Sequence, residues 1–255
     1  MKAWNLISLT EARRLAVEAL AAAPRQTEQV GLRQALGRIA ACDMINAEDN
    51  PAFDRSTVDG YAVRSQDLAA ASAATPVSLR LVGEVRMGRG YDGKISTGEA
   101  VRIPTGGMLP DGADAVLMQE YTAVGVAETV LAGRSVASRE NMVVRGDDVT
   151  AGTVVLAAGS KIGVPDLGVL ASCGFACVPV IKKPVVTVVT TGDEIIPPEA
   201  MPLPGQIRDV NSFTLAALAE LAGCQVIQAE RVDDSQAGLT SVLKTALATS
   251  DLILV

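Results

Sequence analysis

The 255-residue sequence contains no histidine. That removes the usual general base, every Ser-His-Asp triad and most zinc sites. Any chemistry therefore runs on carboxylates, hydroxyls, backbone amides or a hard cation. Aromatic residues make up only 3% of a chain that is 49% hydrophobic, so the core must be built from Ala, Val, Leu and Ile. Cys42, Cys173, Cys177 and Cys224 show no C-x-x-C spacing, which argues for small buried hydrophobes in a reducing compartment over a metal or redox centre. Basic charge is in deficit, 22 Lys and Arg against 29 Asp and Glu, for a net charge of -7. Such a surface repels phosphate backbones, and Arg13-Arg14 and Lys182-Lys183 are isolated pairs, so nucleic acid is not expected as a partner. No apolar run reaches the ~18 residues of a membrane span, and Met1 to Asn5 open no continuous apolar segment. A cytoplasmic protein with no membrane contact is expected.

What is present is a chain of changing texture. Ser8-Leu9-Thr10-Glu11 has capping-box spacing and predicts a helix to about Ala22, with Leu9, Ala12, Leu15, Ala16, Ala19 and Leu20 on one stripe. A short helix is expected from Leu32 to Leu36, closed by Gly37, with Ile39 to Ile45 extended beyond it. From Asn46 to Asn141, short alternating runs such as Val77 to Leu81 and Ala115 to Glu120, broken by Gly, Pro and Asp, predict a small β domain. Asp147 to Ser160 reads as a strand pair, followed by a helix with Pro165 in its first turn that ends near Gly174. After Lys183 the pattern is α/β. Pro184 to Thr190 is a β-branched run suited to a strand buried on both faces, Asn211 is placed to cap a helix reaching Leu221, and Gln225 to Arg231 returns as a strand. Asp234 is placed to cap the next helix, and Asp251 to Val255 begin a third strand. A sheet that stops there has an exposed apolar edge, so the chain reads as cut off inside its α/β domain.

Ligands of open parallel sheets gather beyond the carboxyl ends of the strands. That rim carries Thr190-Thr191-Gly192-Asp193-Glu194 after the first strand and Asp233-Asp234 after the second. Its acids supply oxygens for a hard cation or for acid-base work, while Asp234 reads equally well as a helix cap. In the β domain, Asp54 to Ala62 gather hydroxyls, a cation and two carboxylates in one loop. The turn Thr105-Gly106-Gly107 offers a hydroxyl and approachable amides, either for an anion or merely as a turn.

Taken in order, Asp59-Gly60-Tyr61-Ala62, Thr105-Gly106, Met118-Gln119-Glu120, Gly146-Asp147-Asp148, Thr191-Gly192-Asp193-Glu194, Gly205-Gln206-Ile207 with Asn211, and Asp233-Asp234 form a series. It resembles the N-terminal portion of the molybdopterin molybdenumtransferases of the MoeA and gephyrin type, over Ser8 to Val255. The resemblance implies insertion of molybdenum from molybdate into adenylylated molybdopterin, with Mg2+ and release of AMP. It implies catalytic roles for Asp59, Asp148 and Glu194, and cofactor-binding roles for Thr105, Gly106, Thr191, Gly192, Asp193 and Asn211. Asp233 and Asp234 are its implied metal ligands, and Asp147 stands where the family has Glu.

The implied fold is α/β plus β, a helical and small β-domain N-terminal part followed by a truncated parallel three-layer α/β molybdopterin-binding domain. Residues 1–45 and 142–180 are expected to form a helical linking domain, 46–141 an inserted β domain and 181–255 the incomplete α/β domain. The family's Ser-Gly-Gly phosphate loop and C-terminal β domain are expected beyond Val255, so the 255 residues alone are expected to be inactive. The resemblance further implies a homodimer with shared sites and a molybdopterin adenylyltransferase upstream. Two other readings stand beside it, a molybdopterin-binding scaffold of the gephyrin type without catalysis, and a nucleotide or pterin hydrolase sharing only the α/β part.

Overall fold

In the computed structural model, residues 6–21, 24–228 and 231–255 are described. Met1 to Asn5, the expected helix end at Ala22, and residues 229–230 of the expected strand Gln225 to Arg231 lie outside them. The chain is mixed α/β and divides into two compact units. One holds Asp43–Ala157 with Val169–Gly174, and the other holds Met1–Cys42, Ala158–Gly168 and Phe175–Val255.

The first unit is built on six strands, β1 (Gly60–Val63), β2 (Val77–Glu84), β3 (Glu99–Ile103), β4 (Ala115–Met118), β5 (Thr122–Val124) and β6 (Thr129–Ala132), in the spatial order β4-β1-β3-β2-β6-β5. Only β2 and β3 run parallel. Alternation along the strands divides their side chains between two clusters. Val63, Leu79, Ala100, Leu117 and Ala132 pack in one, and Ala62, Val85, Val101, Ile103 and Val116 in the other. The sheet is therefore dry on both faces. β1 lies so close to β4 that a Cβ at Gly60 would meet the Leu117 carbonyl oxygen at 2.0 Å, a gap only glycine tolerates. The strand pair expected over Asp147 to Ser160 does not form. Only Val154–Leu156 is extended, and it pairs with Met44–Ile45 far back in the chain, a partner that local pattern cannot name.

In the second unit, α1 (Leu9–Ala21) starts as its spacing predicts, with the Glu11 N–H donating to Ser8 Oγ at 3.2 Å. Glu11 does not complete the box. Its carboxylate turns to Arg14, which also holds Glu18. None of the helix is buried, and Leu9 is 87% exposed. Thr27–Gly31 pairs antiparallel with Cys177–Ile181, and Leu32–Ala35 forms a 3-10 turn. Three parallel strands follow, β7 (Val185–Val188), β8 (Gln225–Gln228) and β9 (Leu252–Leu254), with β7 central. Val186, Val188 and Val189 are nearly inaccessible, each burial contributing about 1.5–3 kcal/mol. α3 (Asn211–Leu221) and α4 (Gln236–Thr249) follow β7 and β8 in the chain; α2 (Val164–Ser172) precedes them. Asp251 latches β9 to β7, its N–H donating to the Val185 carbonyl at 2.8 Å and its carboxylate accepting from the Val185 N–H at 2.7 Å.

Both expected helix caps shift by one or two residues. At α3 the capping acceptor is Asp209, whose Oδ1 takes the Ser212 N–H at 3.0 Å, while Asn211 is the first helical residue and exposed. At α4 the cap is Ser235, whose hydroxyl takes the Gly238 N–H at 3.1 Å, and not Asp234. A cap must stand where its oxygen faces the second or third amide of the helix, and these two residues meet that condition. Among the described residues, no helix is long and apolar enough to cross a membrane.

Candidate active site

In the β unit, the loop before β1 and the turn after β3 meet. Asp59 Oδ1 accepts two hydrogen bonds from Thr105, from its N–H at 2.7 Å and from its hydroxyl at 2.8 Å. The backbone is fixed beside them, with the Gly106 N–H on the Ser56 carbonyl at 2.8 Å and the Ser56 N–H on the Gly107 carbonyl at 2.9 Å. The Ser56 hydroxyl closes the loop from inside on the Val58 carbonyl at 2.6 Å. The two hydrogen bonds from Thr105 hold the Asp59 carboxyl below its ordinary value against the cost of burial, with a lesser pull from the Arg102 guanidinium. The result is an exposed, ionised carboxylate with one oxygen tied down and the other free.

The same loop carries Arg55, whose Nη2 lies 3.9 Å from Asp148 Oδ2. Its Nε is buried and unpartnered. Asp148 is exposed, and its N–H is anchored on the Asn50 carbonyl at 3.0 Å. Asp147 has a structural task, its carboxylate accepting the Val144 N–H at 2.7 Å to close the turn. Asp59, Thr105, Gly106 and Asp148 thus all attach to the segment 54–60 or its neighbours, although no hydrogen bond joins Asp148 to Asp59.

In the α/β unit the rim beyond β7 and the segment before α4 converge. Thr191 bridges to Val232, and the Asp234 N–H donates to Asp193 Oδ1 at 3.3 Å. Gly192 takes a φ of 135°, and a Cβ there would meet Glu194 Oε2 at 2.8 Å, so glycine is what lets the Glu194 carboxylate fold back over the turn. Asp233 spends one oxygen on the Ser235 hydroxyl at 2.6 Å and so orients the cap of α4. Asp193, Glu194, Asp233 and Asp234 are all exposed. Among the described residues no three His, Cys, Asp or Glu side chains close on one point as a protein-only metal cage would require. Magnesium, which binds through one or two carboxylates together with substrate phosphates, asks less of the protein.

Sequence reasoning missed an open pocket of about 240 Å³ on this rim, formed around Thr190, Asp209, Ser212 and Arg231. Burial opposes ionisation of Asp209, but donors on Ser212, Thr190 and Asn211 outweigh it and hold the carboxyl low. The Ser212 hydroxyl is buried beside Asp209 and helps hold its carboxyl ionised. Arg231 Nη1 clamps the carbonyl of Ile195 and reaches that of Gly192 at 3.5 Å. Asn211, named from the sequence, lies one residue from this pocket's wall. Asp209, two residues earlier in the same motif, is in it.

Residues 7–174 match the family described as MoeA N-terminal region (domain I and II), and residues 187–255 match that described as a probable molybdopterin binding domain. A protein of Staphylococcus aureus (strain MSSA476) named molybdopterin molybdenumtransferase is 36% identical over 226 residues, 88% of this chain and 54% of that protein. One of the same name from Haemophilus influenzae is 34% identical over 249 residues, 98% of this chain and 60% of its own length. The crystal structure of a molybdopterin biosynthesis moeA protein from Pyrococcus horikoshii OT3 superposes with a TM-score of 0.83 at 34% identity, over 89% of this chain and 60% of that one. The chain spans a little over half the length of the relatives it matches.

Proposed function

Because this chain belongs to the MoeA family, with the family's N-terminal region over residues 7–174, we propose that it serves molybdenum cofactor biosynthesis as a molybdopterin molybdenumtransferase. Molybdate and adenylylated molybdopterin are the substrates, and AMP is released as molybdenum enters the dithiolene. The observation that carries this reading is the Asp59 carboxylate, aimed by two bonds from Thr105 and left with one free oxygen. Mo–O bonds break and Mo–S bonds form in such an insertion, so protons must pass from the dithiol to the departing oxygens. Without histidine, the carboxylates of Asp59, Glu194 and Asp148 take that work.

Thr105 and Gly106 on one unit, and Thr191, Gly192, Asp193 and Asn211 on the other, are the cofactor contacts in this reading. Asp233 or Asp234 would hold Mg2+, which neutralises phosphate charge when bound. In domain terms, 1–45 with 142–180 link, 46–141 form the inserted β domain, and 181–255 belong to a three-layer α/β molybdopterin-binding domain. The protein acts in the cytoplasm as a homodimer, downstream of a molybdopterin adenylyltransferase.

In a full-length protein that contains these residues, Asp59→Ala and Glu194→Ala should each lower molybdenum insertion at least about tenfold, ~1.4 kcal/mol of barrier, with circular dichroism unchanged. Wild-type turnover by both folded variants overturns the assignment. If sites are shared across a dimer, mixing the two variants restores part of the activity. Failure to complement, once subunit exchange is demonstrated, places each site within one chain.

A further inference from the structure

Two acids of the β unit, Asp59 and Asp148, are held unequally. Asp59 is aimed by two hydrogen bonds from Thr105, whereas the exposed Asp148 carboxylate has, among the described residues, one cation beside it, the Arg55 guanidinium. Nη2 of Arg55 stands 3.9 Å from Asp148 Oδ2, in range of charge attraction and beyond a hydrogen bond. A half-exposed pair of this kind contributes little to stability. The Nε of the same guanidinium is buried without a partner, and a buried cationic N–H left so calls for an explanation that the resting pair does not supply.

Arg55 is the fixed member of the pair. Its backbone bridges to Met108 and pairs with Val143, and the next residue, Ser56, is buried. The Thr57 N–H donates to the Asn141 carbonyl at 3.0 Å and the Arg145 N–H to Asp54 Oδ1 at 2.7 Å. The segments that carry Arg55 and Asp148 are therefore tied together before and after the arginine. Asp148 itself is anchored by its backbone, at the Asn50 carbonyl, and its side chain is left to the charge beside it. The Nε–H and an Nη2–H of a guanidinium lie parallel along one edge, the geometry that meets carboxylate oxygens. Nη2, on that edge, is the atom beside Asp148, and Nε, its neighbour there, is the donor without a partner.

We infer that Arg55 is a positioning residue for Asp148, holding one carboxylate oxygen against its Nε–Nη2 edge and leaving the other to the substrate, as Thr105 does for Asp59. This role rests on the proposed function, in which Asp148 moves protons, and it names the group that aims that acid. Charge and fork contribute separately. Glutamine at position 55 removes both, while lysine keeps a point charge and loses the fork.

The test begins with molybdenum insertion by a full-length protein that contains these residues. Arg55→Gln should lower kcat at least about fivefold while KM for molybdate stays within about twofold, because an aim is lost and not a binding contact. Arg55→Lys should recover part of the lost rate. With Asp148→Asn already in place, Arg55→Gln should cost no more than about a further twofold, since the residue it acts through is gone. A rise in KM alone, no recovery by lysine, or losses that multiply in the double variant overturn the inference. The 255-residue chain offers a readout that needs no turnover. In its proton–nitrogen correlation spectrum the Arg55 Nε–H signal, identified by its loss in Arg55→Gln, should shift in Asp148→Asn, a change at an exposed residue that leaves the fold intact. An unmoved signal overturns the pair. Insertion at the wild-type rate by Arg55→Gln overturns the role of Arg55 and leaves the proposed function standing. A wild type that inserts no molybdenum, while Asp148→Asn still moves the Arg55 signal, overturns the function and leaves the pair standing.

Discussion

The two compact units spend the same aliphatic composition differently. The six-stranded sheet of the β unit is covered on both faces, and several polar side chains of that unit are answered by specific partners, Asp59 by Thr105, Asp114 by Ser65 and Asn141 by the Val116 carbonyl. The α/β unit buries its central strand β7, yet α3 buries only Ser212 and Ala219 and α4 only Ala246. Phe213, Leu218, Leu221 and Leu247 stay exposed. Its rim acids are held chiefly by backbone donors or by none. The two units divide the labour. Where a carboxylate must be aimed, the surroundings are packed and over-determined; where a ligand must enter, side chains are left open and the local stability is lower.

Substitution should make that contrast measurable. Leu117, fully buried in the β unit, should cost about 4 kcal/mol as Leu117→Ala. Urea unfolding reads this directly, and a loss below ~1 kcal/mol would mean the sheet is not packed as described. Asp114→Asn comes next. Burial opposes ionisation of Asp114, but the N–H and hydroxyl of Ser65, at 2.6 and 2.7 Å, prevail and set the folded carboxyl below its ordinary value. Replacing the carboxylate should cost about 2 kcal/mol at neutral pH. Because the folded value lies below the unfolded one near ~3.9, that contribution is full above it and drains as pH falls toward the folded value. Stability curves of wild type and variant should therefore converge in acid, and parallel curves would assign the loss to packing. The smallest effect belongs to the other unit. Leu218→Ala, at a position 63% exposed, should change stability by less than about 0.5 kcal/mol. A loss of 2 kcal/mol there would show that something covers α3 in solution.

Much of the fold was legible because local rules decide it. The Ser8 cap, the buried run at Val185 to Val188 and the glycine stops at Gly37, Gly174 and Gly223 all follow from short-range pattern. What stayed hidden depended on position in space. Several oxygens in Asp209-Val210-Asn211 and Asp233-Asp234-Ser235 were eligible as caps, and only the path of the chain selects Asp209 and Ser235. The pairing of Val154–Leu156 with Met44–Ile45 crosses more than a hundred residues. The site divides in the same manner. Asp59 and Thr105 were each readable as polar loop residues, but their bond, 46 positions apart in sequence, was not. Arg231 looked like the end of a strand, and its clamp on Ile195 appears only in three dimensions.

The Asp59 to Thr105 contact makes the Thr105 amide an internal probe. Thr105 sits at the surface, where a backbone proton ordinarily trades with solvent within the lifetime of its exposure. Here that proton points at an anion 2.7 Å away that also holds the hydroxyl of the same residue, so it should exchange slowly, like one inside the sheet. Its protection is tied to the charge state of one side chain, and it vanishes once that side chain picks up a proton or turns toward an arriving molecule. A single resonance therefore records, residue by residue and without labelling the substrate, the moment at which Asp59 changes partners.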